Sequence, residues 1–227
     1  MILGIIGGMG PAATCNLYEK IIQFTPATKD QEHLHIVIDS NAQIPDRTEC
    51  IIGNGENPKI EMVRSAIKLE TMGVDYIAIP CNTAHYFYDD ISQYVKVPII
   101  HMIDETAFYL SKKYGRNKDY LLLATEGTYM SGIYKKVFEK YDLNIIEPDK
   151  TDKEIVMKWI YGVKSSEFDV SLMEFESLIN KYVGGEDIPA ILGCTELPVL
   201  AEKIGVSKKC VDPISILAKV CVELREK

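Results

Sequence analysis

The chain has 227 residues, 47% hydrophobic and 26% charged, with a formal net charge of −8. This is the size of one large domain or two small ones, with the composition of an ordinary soluble globular protein. The acidic excess argues against nucleic acid or an anionic membrane surface as the main partner, and an anionic substrate would need local cations to hold it.

The first element is a strand over Ile2 to Ile6, too short and too poor in basic residues for a signal peptide. Gly7-Gly-Met-Gly10-Pro11 is a turn, with Pro11 at the first position of a helix running to Phe24. Gly8-Met-Gly10-Pro-Ala-Ala13 matches the dinucleotide fingerprint G-x-G-x-x-A, and Asp39 closes the next strand, Leu34 to Asp39. Many α/β proteins that bind no nucleotide need such a glycine turn. The preferred reading is that the glycines let backbone N–H groups approach a small anion. Ser40 to Thr48 is a loop holding Arg47, which is either solvated or a bidentate partner for a carboxylate. The glycine-containing stretch 51–58 is a surface loop and lid candidate. Lys59 to Met72 is a helix with Ile60, Val63, Ile67 and Leu69 facing inward, stopped by Gly73.

Strand three begins at Val74 and runs into Pro80-Cys81-Asn82-Thr83, followed by a helical segment. A helix start would favour a thiolate at Cys81. His85, four residues on, could share its face as a Cys–His dyad, although a plain polar residue is the commoner reading. Val97 to Ile103 is strand four, and Asp104 can cap a helix from Glu105 to Tyr114.

The plan then restarts. Tyr120 to Thr125 is a strand, 126–132 a turn and Ile133 to Tyr141 a helix. Leu143 to Pro148 is a strand, followed by helices over Glu154 to Val163 and Val170 to Val183, the latter closed by Gly184-Gly185. Ile188-Pro-Ala-Ile-Leu-Gly-Cys194 repeats the strand–cysteine design, ahead of a short edge at Val211-Asp-Pro213 and a last helix, Ile214 to Leu224. Alternating strands and helices imply parallel sheets. The expected fold is α/β, as two similar parallel-sheet domains. Residues 1–102 carry Cys81 and are joined by the last helix, 213–227; residues 103–212 carry Cys194.

One cysteine at a strand end is a weak signal, because free cysteine is often a small buried hydrophobe. Two in matching contexts, one per half, are far less readily coincidental. The other four, Cys15, Cys50, Cys210 and Cys221, lack that context and read as structural. With no C-x-x-C pair, the six predict reduced thiols in the cytoplasm. Only His33-x-His35 approaches metal-ligand spacing, and without further ligands no metal is expected. No stretch reaches the ~18 apolar residues of a membrane span.

Gly7-Gly-Met-Gly-Pro11, Gln43-Ile-Pro-Asp-Arg-Thr48, Pro80-Cys-Asn-Thr-Ala-His85 and Gly193-Cys-Thr-Glu-Leu-Pro198 together resemble the aspartate/glutamate racemase family, in its aspartate branch. Glutamate racemases carry Asp-Ser-Gly near the N-terminus and histidine after the second Cys-Thr. Here Met9 and Glu196 stand at those places. The resemblance implies two α/β domains facing each other across a cleft, commonly a homodimer, and no pyridoxal phosphate or other cofactor. It makes Cys81 and Cys194 the catalytic pair, Met9 and Gln43 lining residues, and Lys164 a second cation beside Arg47. The family block around Lys164 often has glycine next, where Ser165-Ser166 follow here.

The chemistry fits these residues. Racemisation needs a base on one face of Cα and an acid on the other, and two thiols can exchange those roles. Without an electron sink, the α-carboxylate must take up developing charge. Asn82, Thr83, Thr125 and Thr195 are donors that could be aimed at it, and the same residues could cap helices. Arg47 would bind the side-chain carboxylate of aspartate. The rivals are glutamate or a broader amino-acid range, a dehydrogenase-like dinucleotide binder, a Cys81–His85 thiol hydrolase, and a non-catalytic amino-acid binding module.

Overall fold

Parallel strands buried on both faces need helices on both sides, and the sequence supplies them in alternation. The computed structural model describes residues 1–165, 167–183, 188–206 and 210–226. In chain order the first half holds β1 (Ile2–Gly7), α1 (Pro11–Phe24), β2 (His35–Ser40), α2 (Arg47–Ile51), α3 (Lys59–Thr71), β3 (Tyr76–Ala78), α4 (Tyr88–Ser92) and α5 (Met102–Tyr114). The second holds β4 (Lys118–Ala124), α6 (Glu126–Ser131), α7 (Ile133–Glu139), β5 (Leu143–Ile146), α8 (Lys150–Ser165), α9 (Leu172–Val183), β6 (Ala190–Gly193), α10 (Glu196–Lys203), β7 (Cys210–Val211) and α11 (Pro213–Glu223). The chain divides into two units, one of Met1–Thr106 with the chain from Ile214 onward, the other Ala107–Pro213. Gly184, Gly185 and Ser166 lie outside the described residues.

In the first unit the sheet order is β2-β1-β3, all parallel. Side chains of β1 alternate between two cores. Leu3 and Ile5 pack with Leu17 and Ile21 of α1 and Leu217 and Cys221 of α11. Ile6 packs with Met62, Ala66 and Leu69 of α3. The inward face of α3 differs from the expected one: Ile60 and Ile67 are 63% and 43% exposed, while Met62, Ser65, Ala66 and Leu69 are buried. The i, i+4, i+7 stripe through Met62, Ala66 and Leu69 sets the phase, and small Ser65 and Ala66 allow close approach to the sheet.

The strand expected over Val97 to Ile103 shrinks to a single parallel bridge between Ile77 and Ile99. Ile77 donates to the Pro98 carbonyl and Ile100 donates back to Ile77 (3.0 and 2.8 Å), but Pro98 has no N–H to extend the ladder. Helix α5 begins at Met102 rather than after an Asp104 cap. Two imidazoles take its first N–H groups: His85 Nε2 accepts from Met102 (3.1 Å) and His101 Nδ1 accepts from Asp104 (3.2 Å).

The second unit repeats the plan with order β5-β4-β6-β7, all parallel. Leu121, Leu123 and Leu192 face a core of α8, α9 and α10 residues, including Trp159, Phe175 and Leu197. The Trp159 and Phe175 rings stack at 5.1 Å. Tyr120 meets Phe138 of α7 edge-on at 6.2 Å. The turn expected over 126–132 is helix α6, separated from α7 by Gly132 at φ +63°. No helix among the described residues is long and apolar enough to cross a membrane.

His85 joins the end of β3 to the start of α5. Since Nε2 accepts from Met102, the proton sits on Nδ1, which donates to the Cys81 carbonyl at 2.8 Å. Burial, with the nearby His101 ring second, lowers its pKa from the ordinary 6.5 to about 3. The unfolded chain therefore binds this proton more readily, and the stabilisation it carries is lost as pH falls from about 6.5 toward 3. His85→Gln should lower the unfolding free energy at pH 7 by about 1–3 kcal/mol, for the orphaned backbone groups. It should also flatten the acid limb of stability, measured by urea unfolding between pH 4 and 7. Parallel limbs for variant and wild type would contradict this role.

Candidate active site

Each unit places a cysteine at the same topological position. The chain runs from the first strand to a neighbour on one side, then returns to a neighbour on the other. At the carboxyl ends of β1 and β3, and again of β4 and β6, the connections leave in different directions, which is where open α/β sheets bind ligands. Cys81 lies just beyond β3 and Cys194 directly after β6, each 7% exposed. All six cysteines are free thiols.

In the first unit the glycine turn after β1 is held from below. Gly8 N–H donates to Thr14 Oγ1 (3.0 Å), and that hydroxyl donates to the Gly10 carbonyl (3.1 Å). Gly8 has φ +88°, and a Cβ there would collide with the Asn41 carbonyl group. Gly8 thus lies against the 41–42 backbone, whereas the space over Gly10 is open, and Asp39 pairs with Lys68 at 3.5 Å. The first glycine of the fingerprint serves the packing of one loop on another. Met9 and Ile44 are buried in the same cluster as Cys81.

Asn82 and Thr83 are buried beside Cys81. The segment that follows is a 3₁₀ turn, Thr83–Phe87, leading into a five-residue helix, and Asn82 does not cap it. The helix expected after Cys81 therefore opens as a 3₁₀ turn at Thr83 rather than as an α-helix. The Cys81–His85 dyad also fails: both imidazole nitrogens are engaged by backbone groups, one of them the carbonyl of Cys81 itself.

The loop after β2 ends in α2, capped by Asp46, whose side chain accepts from Glu49 N–H (2.9 Å). Helix α2 packs against the 3₁₀ turn that follows Cys81. Arg47, its first residue, is half-buried, and its Nη1 donates to the carbonyls of Ile44 and Pro45 (3.2 and 2.9 Å). Its Nε–H is buried without a hydrogen-bond partner. A guanidinium anchored on one edge with a dry donor left over is suited to a carboxylate. Gln43 is exposed, with its N–H donating to Asn41 Oδ1 (3.0 Å).

In the second unit Thr125 follows β4 and caps α6, accepting from Thr128 N–H at 3.3 Å. Tyr129 fixes this corner, its hydroxyl donating to the Leu122 carbonyl (3.1 Å) and accepting from Ala124 N–H (2.8 Å). Thr195 is buried and caps nothing; its hydroxyl donates to Glu196 Oε2 at 3.0 Å. The same carboxylate oxygen accepts from the Cys194 thiol at 2.9 Å. Burial first, then the Glu196 charge and hydrogen bond, push the Cys194 thiol well above its usual range, against a smaller opposing pull from Lys164. Lys164, in the last turn of α8, is exposed with Nζ 5.3 Å above the Tyr161 ring.

Glu196 is the residue that motif reading passed over. Its place two residues after a strand-end cysteine was visible, but not that its side chain would fold back onto the thiol. Among the described residues no group of three or more His, Cys, Asp or Glu could hold a metal ion, and His33 and His35 form no such group.

The sequence profile of the Asp/Glu/Hydantoin racemase family matches residues 6–221. The broad specificity amino-acid racemase RacX of Bacillus subtilis is 30% identical over 226 residues, 97% of this chain and 96% of that protein. The solved structure of Picrophilus torridus aspartate racemase superposes with a TM-score of 0.84 at 36% identity, covering 100% of this chain and 94% of that one. An aspartate racemase homologue from Pyrococcus horikoshii gives 0.77 at 28% identity, over 99% of both chains. The chain therefore belongs to the Asp/Glu/hydantoin racemase family.

Proposed function

We propose that this protein is a cofactor-independent aspartate racemase in which Cys81 and Cys194 act on opposite faces of the substrate Cα. The observation that carries the reading is the matched pair of buried strand-end thiols, each at the switch point of its own parallel sheet. In one direction a Cys81 thiolate removes the α-proton and the Cys194 thiol returns one to the other face; in the reverse direction the roles exchange. The charge that develops on the α-carboxylate is met by preorganised donors, for which Asn82, Thr83 and Thr125 are the candidates, the Thr195 hydroxyl being committed to Glu196. Their burial supports this, because a donor in a dry site needs little reorganisation as charge appears.

Arg47 binds the side-chain carboxylate, and its partnerless buried Nε–H supports the assignment. Lys164 adds positive charge near Cys194, as its effect on that thiol indicates. Met9 and Gln43 line the site, Met9 through its backbone beside the glycine turn. We extend the reading to a cytoplasmic homodimer by the family resemblance.

A broader amino-acid range is the second reading, favoured by the end-to-end match to a relative named for broad specificity. One methylene in a pocket is worth about 1–3 kcal/mol. Aspartate should therefore exceed glutamate in kcat/KM by about tenfold or more, compared directly by chiral chromatography. Equal turnover of neutral or basic amino acids would replace aspartate specificity with the broad reading.

Cys81→Ala and Cys194→Ala should each lower kcat/KM by at least ~10²-fold. The loss should be equal from L- and D-aspartate, because the equilibrium constant between enantiomers is one. A variant that keeps full rates would remove its cysteine from the two-base scheme.

A further inference from the structure

We propose that Glu196 is a positioning residue that holds the proton of Cys194, accepting it when Cys194 must act as a base and returning it when Cys194 must act as an acid. The inference rests on the racemase reading and deepens it.

Cys194 Sγ lies 2.9 Å from Glu196 Oε2, and the Thr195 hydroxyl donates to the same oxygen at 3.0 Å. The carboxylate is thus steered onto the sulfur by its own neighbour and projects from the first residue of α10. A buried thiol beside a carboxylate rests as S–H. That state suits delivery of a proton to Cα but not removal of one. Cys194 must first lose its proton, and Glu196 is the acceptor already in hydrogen-bond contact.

The step balances. The Sγ–H proton moves to Glu196 Oε2, and the Cys194 thiolate takes the α-proton, leaving the C–H electron pair on the substrate. Cys81 gives its proton to the opposite face and is left as thiolate. Glu196 then releases its proton to solvent, and Cys81 takes one from solvent. The reverse direction starts from protonated Glu196 and ends with its proton back on Cys194. Both directions pass through the same protonated carboxylate, so kcat/KM must respond equally in each.

A carboxylate that merely suppresses the thiolate would give the opposite outcome when removed, since freeing the thiolate would speed the reaction. Glu196→Gln separates the two. Peptide-resolved alkylation by iodoacetamide between pH 6 and 10 should show Cys194 labelling at lower pH in this variant than in wild type, because the nearby negative charge is gone. Racemisation of aspartate should nevertheless fall about 10²-fold in kcat/KM. Glu196→Asp, which keeps the carboxylate, should recover part of that loss. Wild-type or faster racemisation by Glu196→Gln would overturn the proposal, as would a labelling curve that does not move. If wild type racemises no amino acid, the racemase reading has failed, and the alkylation shift still reports whether carboxylate and thiol are coupled.

Discussion

A parallel strand in an open sheet ends where the connection from its neighbour turns toward the opposite face, and the positions of both candidate thiols depend on that constraint. β1 and β4 are buried on both sides, so each must be flanked by a strand from either direction with helices above and below. The third strand of each unit then delivers its next residues to the switch point. Gly4 shows how close the layers lie, since a Cβ there would sit 3.1 Å from Val74 and 3.2 Å from Leu69. The fold thereby produces two equivalent locations from one repeated pattern, and the sequence puts a cysteine in each.

Equivalent location does not mean equivalent chemistry. The segment carrying Cys81 is clamped by a neutral imidazole that spends both nitrogens on backbone, which fixes the chain without touching the sulfur. The Cys194 sulfur is held by a carboxylate instead. Burying an ionised thiol beside a negative charge is costly, so that sulfur keeps its proton. On the proposed reading, a reaction symmetrical in substrate and product is served by two groups with different ways of managing one proton.

Much of this was legible in the chain. Apolar runs ending in cysteine marked both strand ends, Pro11 marked the start of α1, and the strand–helix alternation implied parallel sheets. What escaped were features set by contacts distant in sequence. The phase of α3 is chosen by the fit of Ser65 and Ala66 against the sheet, which periodicity alone misassigned to Ile60 and Ile67. The start of α5 is set by His85 and His101 rather than by a local cap. The G-x-G-x-x-A match gave no sign that its first glycine, Gly8, packs against the backbone of Asn41. Glu196 was visible as a departure from the glutamate racemase pattern, but its orientation toward Cys194 is a side-chain geometry no spacing rule contains.

The central claim is that thiols alone remove and replace the α-proton. Its most direct test is exchange at Cα. Purified, reduced protein would be incubated with L-aspartate in D2O without added cofactor, with the α-proton followed by NMR and the enantiomer ratio by chiral chromatography. The account predicts loss of the α-proton signal, deuterium at Cα of the D-aspartate formed, and drift to a racemic mixture. An α-proton that stays in place for both aspartate and glutamate would contradict it and leave Cys81 and Cys194 with a binding role.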